Sequence, residues 1–150
     1  MKVFKFRLET LLNLRELAKD RAVKDYSLAI AKREIAEKNL QLAFDSLKSL
    51  NKEIYIKRKM GFSGFEQKDF NQSILQAKDL IVDRNTDLEQ AKSIEDAKRN
   101  IFIKADSSYK SLSKLKGKSR VMHLKKEEKR EESELEDIIS SRFVYNQSSH

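Results

Sequence analysis

The stretch "KMGFSGFEQKDF", residues 59–70, holds two of the three glycines in a chain of 150 residues that has no proline. Its residues are those that stop one helix and start another. Lys57, Arg58 and Lys59 stand where cations complement the negative end of a helix dipole. Gly61 suits the left-handed C′ position of a Schellman-type stop, which puts Phe62 at C″, able to reach back to Ile56. Ser63 and Glu66 have the S-x-x-E spacing of a capping box, so a second helix is predicted to start at Gly64. A connection of about two or three residues makes antiparallel neighbours of the helices it joins.

Both flanks of the turn carry long helical periodicities. Upstream, a series at alternating spacings of three and four runs Leu8, Leu12, Arg15, Lys19, Ala22, Tyr26, Ala29, Arg33, Ala36, Leu40, Ala43, Leu47, Leu50 and Ile54. Eleven of these fourteen are uncharged, which marks a partner-facing stripe, and its alanines predict close helix approach. Leu28, Ile35 and Leu42 form a second row, seven residues apart. Downstream, the series is Ile74, Ala77, Ile81, Arg84, Leu88, Ala91, Glu95, Lys98, Phe102, Ala105, Tyr109 and Leu112, nine of twelve uncharged. Ile94, Ala97 and Ile101 lie one place off this series, so the stripe is expected to drift around Glu95 and Lys98. Leu75 and Val82, with Leu80 nearby, make a second downstream row, and one of the two rows is expected to be partly exposed near the turn. Beyond Leu115 the stripe degrades, and residues 125–134 contain no apolar side chain.

Composition agrees with one long seam rather than a large core. Charged residues make up 37% of the chain and hydrophobic residues 39%, with no tryptophan and no cysteine. Few turn residues means few turns. The expected fold is all-α: a long antiparallel two-helix coiled-coil hairpin whose second helix is longer than the first. Helix 1 is placed at about 5–60, the turn at 61–63 and helix 2 at about 64–143, with Gly117 a point where it can break and 144–150 a frayed tail. At 1.5 Å per residue these helices would reach roughly 80 and 120 Å. Folding the chain at residue 62 sets position n opposite about 125 − n, so Leu12 faces the region of Leu112. Residues from about 121 onward then overhang the N-terminus.

The net charge of +8 is uneven. Residues 1–33 hold nine Lys/Arg against four Asp/Glu, and residues 113–130 hold eight against two. The last twenty residues hold one arginine against five acids. The hairpin brings both basic segments to its open end, where like charges cost some stability and an acidic partner is one explanation.

Several function classes are excluded by what is missing. There is no P-loop and no G-x-G-x-x-G, and the two histidines, His123 and His150, make neither a triad nor a zinc set. His123 reads as an exposed helix residue. No cofactor or enzymatic activity is expected. No apolar run approaches the roughly 18 residues of a membrane span, and Lys5 and Arg7 interrupt the N-terminal apolar residues, against a signal peptide. The absence of cysteine fits a reducing compartment, so a cytoplasmic protein is the default. The basic run 113–130 could instead contact nucleic-acid phosphates, although it lacks aromatics for base stacking. Its apolar face is too small for membrane insertion. Phe4 and Phe6 precede the first series and can cover the open end of the seam.

The two ends resemble a known family. "FKFRLETLLNLRE" (4–16) is similar to the start of the FliJ proteins of bacterial flagellar type III export, with the pattern F-x-F-x-L-x-x-L-L-x-x-R. "KREESELEDIISSRF" (129–143) resembles their charged C-terminal helix. The resemblance implies an antiparallel two-helix coiled coil, similar to that of the rotary-ATPase gamma subunit. It implies three partners: a hexameric export ATPase met by the terminal end of the hairpin, a membrane export gate protein, and export chaperones. On that analogy Phe4, Phe6, Arg7, Arg15, Lys114, Lys116, Lys118, Arg120, Lys125 and Lys126 would contact the ATPase ring. The gate contact would fall early in the second helix, at Phe70, Ile74, Ala77 and Ile81, three of which the seam also claims. Two readings stand beside it: a basic coiled coil binding nucleic acid, and a structural or chaperone-like hairpin of a related secretion system.

Overall fold

A computed structural model describes residues 2–148. Two helices, α1 (Glu9–Met60) and α2 (Gly64–Ser148), form an antiparallel hairpin in which the second is the longer. The turn is made as its residues dictate. Gly61 has φ +84°, the left-handed conformation that ends a helix without a Cβ penalty, and its N–H donates to the Arg58 carbonyl at 3.4 Å. The Ser63 hydroxyl accepts from the Glu66 N–H at 3.3 Å, and its carbonyl accepts from Gln67 at 3.1 Å. Phe62 differs from expectation: it stands edge-on to Phe70, ring centroids 5.5 Å apart, while Ile56 is half exposed.

Helix boundaries depart from the sequence expectation at both ends. α1 starts at Glu9 rather than near residue 5, because residues 2–6 are non-helical and Arg7 and Leu8 form a turn, with the Glu9 N–H donating to the Phe6 carbonyl at 3.2 Å. α2 runs unbroken through Gly117, which is exposed and has nothing within 4 Å of an added Cβ. Residues 144–148, expected to fray, are helical. The rest of that tail, 149–150, lies outside the described residues.

The chain divides into two compact units, residues 20–103 and residues 2–19 with 104–148, each containing lengths of both helices. In the first unit every seam residue between Ala22 and Ile54 is buried or half-buried, and so is every one between Ile74 and Phe102. Ala22, Ala29, Ala43, Ile54 and Leu88 are its buried apolar residues. The three alanines among them let the backbones approach, and Tyr26 stacks across the seam on Phe102 at 6.0 Å. The expected drift of the stripe does not occur. Ile94 and Ile101 are exposed, and Glu95 stays in the seam, bound to the Arg33 side chain. An ion pair across the helices satisfies the charge that would otherwise have rotated the register. Arg33 also holds Glu37 at 3.0 Å; that hydrogen bond, then Glu95, raises the guanidinium above its ordinary value. Of the two rows near the turn, the seam row Ile74, Ala77 and Ile81 is half-buried and the row of Leu75 and Val82 is exposed.

In the second unit, Leu12 and Leu112 are the buried apolar residues. Arg15 donates to the Ser108 carbonyl at 3.0 Å, Lys19 sits 4.3 Å over the Tyr109 ring, and Glu9 meets Lys116 at 2.8 Å. The positions in these pairs sum to between 123 and 128, close to the expected 125.

Candidate partner-binding surfaces

The seam does not stop at Leu115; it changes chemistry. Lys116, Ser119, His123, Glu127 and Arg130 continue the three-four spacing, and all are buried or half-buried. The reading of His123 as an exposed helix residue is corrected. Its ring is half-buried, with Nε2 3.0 Å from the Lys2 carbonyl and the ring 5.5 Å from that of Phe4. Glu127 is buried, with Arg130 at 2.9 Å one turn on. The non-helical segment 2–6 covers His123, offering it the Lys2 carbonyl and the Phe4 ring. The signal was present in the spacing but hidden by residue type.

Phe4 and Phe6 are half-buried and, with Lys5, Glu9 and Lys116, line an open hollow of about 400 Å³. Of the cations expected at this end, Arg15 and Lys116 are engaged within the hairpin. Arg7, Lys114, Lys118, Arg120, Lys125 and Lys126 are exposed and form no ion pair among the described residues. Lys114, Lys118 and Lys125 share a helix face by their spacing of four and seven, with Leu115 and Met122 exposed beside them. Such a surface can hold carboxylates or phosphates as point charges around an apolar patch. From residue 131 to 148 every side chain is exposed, including Leu135, Ile138, Ile139 and Phe143.

Phe70, Ile74, Ala77 and Ile81, in the turn-containing unit, are all half-buried. Phe70 is braced by Phe62 and by Lys57, whose ammonium lies 5.2 Å from the ring centroid. The four share the seam face, with their outer edges open.

Among the described residues no group of His, Asp or Glu could hold a metal ion, and no helix is long and apolar enough to cross a membrane. No curated protein and no solved structure matches the chain. A family model does match, that of the flagellar FliJ protein, over residues 4–148, which spans both terminal motifs and the whole hairpin. The chain therefore belongs to the flagellar FliJ protein family, a non-catalytic component of the flagellar export apparatus.

Proposed function

We propose that this chain couples the export ATPase ring to the membrane export gate and assists export chaperone cycling, acting from the cytoplasm or at the inner face of the membrane. The observation that carries the reading is the open end: six cations without ion pairs among the described residues, beside an apolar cap built from Phe4 and Phe6. Charge there steers an acidic partner and the aromatic cap supplies desolvated area. On this reading Arg7, Lys114, Lys118, Arg120, Lys125 and Lys126 meet the ATPase directly. Arg15 and Lys116 act by holding the two helices in register under that surface. Phe70, Ile74, Ala77 and Ile81 present their open edges to the gate protein.

Purified export ATPase tests the ring contact. Adding the chain is expected to raise hydrolysis or promote hexamers at about micromolar concentration. An active ATPase that shows neither response removes the ring contact. Capture of the solubilised gate protein by the chain, weakened by Phe70→Ala, tests the second contact. Salt-sensitive gel shifts with nucleic acid in place of both responses would favour the nucleic-acid reading.

A further inference from the structure

A two-helix coiled coil needs one apolar stripe per helix, yet within residues 20–103 α1 carries two. Leu28, Ile35 and Leu42 each stand one position before a seam alanine, and they are 55%, 60% and 53% exposed. On α2, Ile94 and Ile101 stand one position before Glu95 and Phe102 and are 52% and 53% exposed. In antiparallel helices, residues one place before the seam lie on the same side of the hairpin. A hollow of about 170 Å³ joins the two columns, lined by Ala29 and Lys32 of α1 and by Asp87, Gln90, Ala91 and Ile94 of α2. Arg33 opposite Glu95 and Tyr26 opposite Phe102 set Ile35 level with Ile94 and Leu28 level with Ile101.

The rims of this face differ in charge. Along α1, Lys24 and Lys38 border the column and Lys32 stands within it, and none of the three forms an ion pair among the described residues. Asp25 lies beside them, Asp20 and Glu34 stand one turn before Lys24 and Lys38, and Asp87 on the facing helix is engaged by Arg84 at 3.3 Å. The α2 rim, with Gln90, Ser93, Ala97 and Asn100, is neutral. A second copy laid face to face would bring mostly lysines and neutral side chains against the lysine rim, since its Asp87 is already engaged by Arg84 and Asp25 is a single acid set beside three lysines.

We propose that the face formed by Leu28, Ile35, Leu42, Ile94 and Ile101 docks an amphipathic partner helix that carries aliphatic residues at heptad spacing and carboxylates along one flank. The aliphatic residues extend the seam into a three-helix contact, and the flank carboxylates lie against the lysine rim and fix which way the partner faces.

The test uses the full chain and two synthetic helical peptides of about three heptads, with leucine at the a and d positions and either glutamate or lysine along one flank. In fluorescence anisotropy the glutamate peptide is expected to bind with a Kd of about 10–100 μM and the lysine peptide at least about tenfold more weakly. Ile35→Glu weakens the glutamate peptide by about tenfold or more, whereas Leu75→Glu, on the other side of the hairpin, leaves it unchanged. The double variant Lys24→Glu with Lys38→Glu keeps the apolar area and inverts the peptide preference. Equal binding of the two peptides overturns the proposal. So does binding that is indifferent to Ile35→Glu in a variant with the parent's helix content. A dimer seen by sedimentation and abolished by Ile35→Glu assigns the face to a second copy and equally overturns it.

Discussion

At the residue scale, two glycines that look alike in the sequence do opposite things. Gly61 sits at φ +84° with open space around it, so the conformation, and not crowding, demands glycine. Gly61→Ala is expected to cost about 1 kcal/mol, read as a lower urea midpoint with an unchanged slope. Gly117 has ordinary helical geometry, lies on an exposed face and has no neighbour that an added methyl would meet. Gly117→Ala is expected to stabilise by about 1 kcal/mol, because alanine loses less backbone entropy on entering the helix. A midpoint that falls for Gly117→Ala would mean that the bare backbone there is needed. The S-x-x-E cap and the left-handed stop are legible in the sequence, because each acts within a few neighbouring residues. The fate of Phe62 is not, since Phe70 competes for it from the next helix.

At the scale of the element, the seam tolerates charge wherever the facing helix supplies a complement. Arg33 and Glu95 are mostly covered, at 24% and 17% side-chain exposure, so solvent screens them less than an ordinary surface pair. Glu95→Leu alone is expected to destabilise by about 1–2 kcal/mol, offset in part because Arg33 keeps Glu37. Arg33→Leu together with Glu95→Leu is expected to be neutral or mildly stabilising. A thermal-unfolding double-mutant cycle reads the difference, and a near-zero coupling would place the register in the apolar residues alone. Leu88, among the few buried large side chains, has a plainer expectation: Leu88→Ala costs about 2–3 kcal/mol by the same measurement. The heptad spacing located every one of these positions. It could not say that Glu95 stays in the seam while Ile94 and Ile101 face water, because that choice depends on Arg33, sixty-two residues away.

At the scale of the whole molecule, the charge of +8 matters through its placement. Reversing Lys118, Arg120, Lys125 and Lys126 to glutamate removes exposed cations without touching a seam contact. The expected outcome is loss of ATPase stimulation with helix content unchanged by circular dichroism. Stimulation by the unaltered chain should also fall as salt rises, since the screening length is only about 10 Å at 0.1 M ionic strength. Stimulation that is indifferent to both would place the contact in Phe4 and Phe6 alone. The sequence by itself determined the hairpin, the turn, the antiparallel pairing and the family motifs at the two ends. Those features rest on local conformational preference and on periodicity, which a chain carries wherever it is. Only the tertiary structure decided which cations remain free, that segment 2–6 covers His123, and that the second apolar row of α1 has no partner. Each of these depends on what the opposite helix or the returning terminus leaves uncovered, and that is a property of contacts between residues far apart in the chain.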